Sequence, residues 1–137
     1  MATTFKLRVV TPERELLNQD VEAVVAPGAA GEFGVLPDHI AFLTTLVPGR
    51  LIYQSDGRRQ VLAIFGGYAQ VADNVMTVLA DGAETAAEVD VEAARKAARD
   101  AEERLAKLDP DAQEFADATA ELGRSAARIA AASEKAG

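Results

Sequence analysis

His39 is the single histidine of the 137-residue chain and directly follows Asp38. An imidazole beside a carboxylate can carry protons near neutral pH, so a hydrolase built on Asp38 and His39 is one reading. No Ser, Cys or second carboxylate adjoins the pair in sequence, and a nucleophile needs a base within hydrogen-bond reach. A structural or interface histidine is the better-supported role. Gly28-Ala29-Ala30-Gly31-Glu32-Phe33-Gly34 is glycine-rich. It lacks the Lys-Ser/Thr ending of a phosphate-binding loop and the spacing of a dinucleotide fingerprint, so it reads as a turn or bulge. With no cysteine and one histidine, disulfides and thiolate or paired-imidazole zinc sites are excluded. No metal-ligand spacing, cofactor motif or catalytic constellation emerges, which favours a binding or coupling subunit over an enzyme.

The elements that must carry these residues fall into two halves. Residues 1–82 hold eight of the ten Gly, four of the five Pro and six of the seven aromatics, whereas residues 83–137 hold 19 Ala in 55 positions. Turn formers and aromatics punctuate short strands and Ala favours helix. Phe5, Leu7 and Val9 alternate with Lys6 and Arg8, the period of a strand with one buried face. Similar runs follow at 21–26, 41–47, 51–54, 59–65, 68–72 and 75–79, with hairpin turns expected at Ser55-Asp56-Gly57 and Asp73-Asn74. The expectation is an α+β chain, with an antiparallel β-sandwich or flattened barrel over residues 1–84 and an antiparallel α-helical hairpin over 85–137.

Twenty-two acidic residues against 14 basic ones give a formal net charge of −8. That sign repels phosphate backbones, so no nucleic-acid partner is expected. No window offers the roughly 18 continuous apolar residues of a membrane span. Charges at the start are interleaved with apolar residues rather than placed ahead of an apolar block, so the sequence reads as a mature, soluble protein without an export signal.

In the second half, Val91, Ala94, Ala98, Ala101, Leu105 and Leu108 form one helical seam, with Asp90 as N-cap. Acid-first pairs four apart are Glu92 with Lys96, Asp100 with Arg104 and Glu103 with Lys107. Asp109-Pro110 should end this helix and cap the next, whose seam runs Phe115, Ala118, Leu122, Ser125, Ile129 and Ala132. Alanine seams remove little apolar area from water, so contact is shallow. Both an arm that undocks and a permanently docked pair remain open. Residues 84–121 carry twelve acids and five bases, whereas 122–137 carry Arg124, Arg128 and Lys135 against Glu134 alone. Those cations either offset the helix dipole or dock on an acidic partner.

GEFGVLPDHIAFLTTLVPG (residues 31–49) and FGGYAQVADNVMTVLADGAE (residues 65–84), with the opening FKLRVVTPERELL, closely resemble the epsilon subunit of F-type ATP synthases, called delta in mitochondria. FGVLPDH looks most like the alphaproteobacterial members. The resemblance covers essentially the full length. It implies a ten-stranded sandwich on the rotating central stalk, between the gamma subunit and the membrane-embedded c-ring. The chain would be non-catalytic and cofactor-free, peripheral to the cytoplasmic face of the bacterial plasma membrane. It would help couple proton-driven rotation to ATP synthesis.

On the same resemblance, Glu32 and, more weakly, His39 are expected to meet the c-ring. Arg124 and Arg128 are expected to meet the catalytic alpha and beta subunits when the hairpin extends, where it can restrain hydrolysis. The family's ATP motif has an aliphatic residue, Asp, two variable residues and Arg-Ala. Here Val89-Asp90-Val91-Glu92 is followed by Ala93-Ala94, and Arg95 comes two positions later. Two helical positions rotate a side chain by about 200°, so Asp90 and Arg95 are expected to bind ATP weakly or not at all. A freestanding sandwich that senses a small ligand is the competing reading, and co-purification with membrane ATPase activity would separate the two.

Overall fold

A computed structural model describes residues 3–134. Phe5, Leu7 and Val9 are buried as their alternation predicts, in β1 (Phe5–Val10). The following strands are β2 (Glu15–Val21), β3 (Ala23–Gly28), β4 (Gly31–Val35), β5 (Phe42–Ser55), β6 (Arg58–Ala72), β7 (Val75–Ala80) and β8 (Ala83–Thr85). After a 3-10 turn at Ala86–Glu88 come α1 (Val91–Leu105) and α2 (Gln113–Ser133).

The strands are ordered β2-β1-β7-β6-β5-β3-β4, with β8 beside β6. Pairing is antiparallel except for β1 with β7. The runs read as separate strands at 41–47 and 51–54 are one strand, β5, and those at 59–65 and 68–72 are one strand, β6. β6 pairs with β8 through Leu62–Ile64 and with β7 through Gly67–Ala72, so the long strands serve both layers. Strands pass from one sheet to the other at bends of this kind. Gly66 and Gly67 lie at this junction with φ of 103° and 132°. A Cβ on Gly67 would stand 2.1 Å from the Leu79 carbonyl oxygen, so only glycine fits. Among the described residues eight strands replace the ten that the resemblance implied, because β5 and β6 each contribute to both layers.

Asp56 and Gly57 have φ of 52° and 74°, and Asp73 and Asn74 have φ of 52° and 61°. Both expected hairpin turns therefore form with two left-handed residues, as type I′ geometry requires. β2, β4 and β8 escaped the strand reading. β4 is GEFGV, within the segment expected to be a turn; only Ala29-Ala30 turns, and the flanks pair as strands.

Leu7, Val9, Val21, Val24, Leu51, Ile64, Val71, Met76 and Val78 fill the space between the layers. A second apolar cluster, Val61, Ala63, Ala127 and Ala131, lies outside the sandwich under α2. Asp90 caps α1, its carboxylate accepting from the Ala93 amide. Asp109 does not cap α2. Pro110 sits inside a turn closed by the Ala112 amide to the Asp109 carbonyl, where its fixed φ is useful. Asp109 meanwhile accepts from the Asp111 amide, and α2 starts at Gln113 after Ala112, without a side-chain cap. Lys96 donates to Asp100, and Arg95 to Glu92, in place of the expected Glu92–Lys96 and Asp100–Arg104 pairs. Such exposed pairs are weak, so their choice of partner is weakly determined.

Candidate functional site

The two layers present opposite outer faces. On one, Arg59, Val61, Ala63 and Phe65 of β6 are in register with Gln54, Ile52, Arg50 and Pro48 of β5. α2 lies across this face. Gly123 meets Pro48, where an added Cβ would come 3.1 Å from the ring, and Ala127 and Ala131 lie on Val61 and Ala63. Gly123, Ala127 and Ala131 are four apart, a small-residue stripe that the seam reading missed by following only the α1-facing positions. Those include the buried Ala118 and Ser125, with Ala94 and Ala101 buried on α1.

Charged residues border this contact. Arg128 donates from Nε and Nη2 to the two Glu84 oxygens at 2.9 and 3.2 Å, and its guanidinium lies 4.7 Å from the centroid of the Phe65 ring. Arg124 donates to Glu121 one turn earlier on α2. Both arginines expected to reach a partner are therefore occupied within the chain. Lys135 lies outside the described residues. On the connection into α1, the Glu88 carboxylate accepts from the Thr85 amide while Thr85 caps Glu88, and Arg14 donates to Glu88 at 3.1 Å. The Thr85 backbone amide is the main cause that holds the Glu88 carboxyl below its usual range; burial opposes it, and the Thr85 hydroxyl and the Arg14 guanidinium add to the lowering.

Asp90 borders a groove of about 340 Å³ between the hairpin and the sandwich, together with Glu84, Glu88, Glu121 and Arg128. Arg95 does not line it; its guanidinium donates to Glu92 on the exposed side of α1. Asp90 and Arg95 are thus not brought together. The groove sets four carboxylates against one guanidinium already bound to Glu84, a poor setting for phosphate.

The other outer face carries no element of the described chain. Leu43, Thr45 and Val47 of β5, Tyr68 of β6 and Leu79 of β7 share it, with Tyr68 in register with both Thr45 and Leu79. Leu43 is 69% exposed, Tyr68 56% and Leu79 55%. Leu36 and Ile40, on the β4–β5 connection, are also exposed. Several large apolar side chains exposed on one face form the kind of surface that partner proteins cover.

Glu32 is exposed on β4, and Arg50 approaches its carboxylate to 3.8 Å. On the β4–β5 connection, His39 Nδ1 lies 2.8 Å from the Ile40 carbonyl, and the ring packs edge-on to Phe42 at 6.0 Å. With Nδ1–H donating to that carbonyl, the histidine orders the connection. The Asp38 amide donates to Asn74, tying this connection to the β6–β7 turn. No cluster of three or more metal-ligating side chains occurs among the described residues.

Residues 4–86 match the ATP synthase, Delta/Epsilon chain, beta-sandwich domain, and residues 87–133 match the ATP synthase, Delta/Epsilon chain, long alpha-helix domain. A sandwich with one helix-covered and one bare face, followed by a hairpin, therefore belongs to the delta/epsilon family of ATP synthase subunits. The ATP synthase epsilon chain of Syntrophobacter fumaroxidans is 48% identical over 129 residues, covering 94% of this chain and 96% of the relative. That of Geotalea uraniireducens is 43% identical over 136 residues, covering 99% of each. Within the family its role is the epsilon one, a non-catalytic subunit of F-type ATP synthase. Among solved structures, a chain of the Euglena gracilis mitochondrial ATP synthase OSCP/F1/c-ring assembly superposes with a TM-score of 0.78 at 26% identity, covering 90% of this chain and 78% of that one. A chain of the Tetrahymena thermophila central stalk/c-ring shares the fold with a TM-score of 0.60 at 20% identity.

Membership in this complex makes the chain a peripheral membrane component and a partner of other ATP synthase subunits. No helix of the described residues is long and apolar enough to cross a membrane.

Proposed function

We propose that the bare face around Leu43, Tyr68 and Leu79 seats the gamma subunit, and that Glu32 and His39 meet the polar loops of the c-ring. On this reading the complex sits on the cytoplasmic face of the bacterial plasma membrane. Residues 1–84 serve as the fixed body, and residues 85–137 as an arm that can lift from the covered face. When it lifts, Arg124 and Arg128 exchange Glu121 and Glu84 for acidic segments of the alpha and beta subunits and restrain hydrolysis. The observation that carries the reading is the apolar face left open on the side opposite α2.

Replacing Leu43, Tyr68 and Leu79 together by Ser tests it. All three are more than half exposed in the chain alone, so folding should be little changed. Full burial of a large apolar side chain is worth about 1.5–3 kcal/mol, so covering the remaining half or more of each predicts a loss of about 3–5 kcal/mol in gamma affinity. Unchanged co-purification of the triple variant with gamma removes the reading. Omission of residues 110–137 should leave assembly and proton coupling largely intact, and loss of the subunit from the complex would make the hairpin a scaffold instead. The three carboxylates that share the groove with Asp90 support weak or absent ATP binding. Calorimetric titration with micromolar affinity, abolished by Asp90→Ala, would overturn that part.

A further inference from the structure

The end of α2 carries an arrangement that the seam and the groove do not use. Glu134, the residue that closes the helix, is held between two arginines of the covered face. Arg59 Nη2 of β6 donates to Oε2 at 2.6 Å, and Arg50 Nη1 of β5 donates to Oε1. The three residues are separated by 84 and 75 positions in the chain, so the contact is wholly tertiary. Hydrogen bonding from Arg59, and then the charge of Arg50, hold the Glu134 carboxyl below its usual range. Arg50 in turn faces Glu32 at 3.8 Å, placing four alternating charges in a row.

Between this row and Gly123, the buried apolar attachment of α2 is Ala127 and Ala131 on Val61 and Ala63, with the partly buried Ile52, Phe65, Ala86 and Val89 packed against them. Alanine contributes little area per residue, and α1 packs on α2 rather than on the sheet. Attachment of the whole hairpin thus depends on charge at the two ends of a thin apolar strip. The Arg128 pair is shielded by Phe65. The Glu134 cluster lies at the last helical turn, where fraying begins.

We propose that Arg50–Glu134–Arg59 is an electrostatic clasp that sets whether the hairpin is docked, and that release starts at this end. A carboxylate shared by two guanidiniums is held more strongly than in a single exposed pair, yet it remains open to screening by salt. Through the more exposed Arg59 the clasp is therefore the more ionic-strength-sensitive part of the attachment, and the Arg128–Glu84 contact, backed by the Phe65 ring, is the less sensitive part. Because Arg50 is shared, Glu32 competes for the guanidinium that the clasp uses; removing Glu32 leaves docking unchanged or firmer.

The full chain has no cysteine, so labels can be placed by Gln70→Cys on β6 and Glu102→Cys on α1, both exposed. Pulsed spin-label distances then read docked and undocked fractions directly. Raising salt from low ionic strength to about 0.5 M, where the screening length shrinks to a few ångströms, should increase the undocked fraction of the otherwise unaltered chain. Glu134→Gln should increase it roughly two- to fivefold at low salt and abolish most of the salt response. Arg59→Gln should do likewise, and the double variant should add little. Glu32→Gln should produce no increase. An undocked fraction indifferent both to salt and to Glu134→Gln would overturn the proposal and leave the apolar strip and the Arg128–Glu84–Phe65 contact as the attachment. If Glu134→Gln folds poorly, Arg59→Gln on the sheet side of the clasp decides in its place.

Discussion

Removing the Arg128 guanidinium should have a larger effect than removing its carboxylate partner. Arg128 and Glu84 side chains are 26% and 29% exposed, so their two-pronged contact is partly shielded from water. Hydrogen bonds to charged groups contribute about 1.5–3 kcal/mol, and a cation over a ring adds about 0.5–1 kcal/mol. Arg128→Ala should therefore cost about 2–3 kcal/mol. It also strands Glu84 beside Glu88, Asp90 and Glu121 around the same groove. Glu84→Ala should cost about 1–2 kcal/mol, because Arg128 keeps Phe65 and can turn to the other carboxylates. Urea unfolding of the two single variants, the double variant and the parent measures the coupling between the residues, expected at about 1–2 kcal/mol. If the hairpin undocks before the sandwich unfolds, the loss appears as an earlier helical transition, and the cycle still closes. A coupling below about 0.3 kcal/mol, or an Arg128→Ala cost no greater than that of Glu84→Ala, would refute the claim that this contact fastens the hairpin.

Three further outcomes follow from the geometry. Glu88 has a folded-state pKa below its usual 4.5, so its contribution to stability is complete above about pH 4.5 and is lost as the pH falls through the lowered value. Glu88→Gln should flatten that part of the stability–pH curve by less than about 1 kcal/mol, the pair being exposed, and thermal melts from pH 3 to 6 check this. Gly67→Ala places a methyl 2.1 Å from the Leu79 carbonyl at a φ of 132°, and should destabilise the sandwich by about 3 kcal/mol or more; a melting temperature within two degrees of the parent contradicts it. Leu51→Ala, at a fully buried position between the layers, should cost about 2–5 kcal/mol in urea titration.

The sequence made the sandwich, the two left-handed turns and the Asp90 cap legible because each rests on local chemistry: alternation, Asp-Gly or Asp-Asn, and a carboxylate before a helix. β2 and β4 were not legible, since ELLNQDV does not alternate cleanly and GEFGV contains two glycines; both gain strand pairing only from a neighbouring strand. Continuity of β5 through Pro48-Gly49 and of β6 through Gly66-Gly67 was hidden by residues that ordinarily interrupt strands. Glu32 and His39 could be pointed to only through resemblance. Nothing around them in sequence reports that Arg50 approaches one and the Ile40 carbonyl receives the other. The Arg128–Glu84 and Glu134–Arg59 contacts join distant positions, and a charge tally carries no information about such pairing. The stripe Gly123, Ala127 and Ala131 was readable, and would have identified the covered face of α2 had a second seam been sought.

The passage of β5 and β6 through both layers has a mechanical consequence. A sideways force applied at Tyr68 enters a backbone that continues without interruption to Ala63 beneath the hairpin, hydrogen-bonded to β5 on both sides of the bend. Because ladder bonds run perpendicular to the strands, tension along β6 loads many of them together in shear instead of peeling them singly. Two separate sheets joined only by side chains could slide; two strands common to both layers tie them by backbone and resist that sliding.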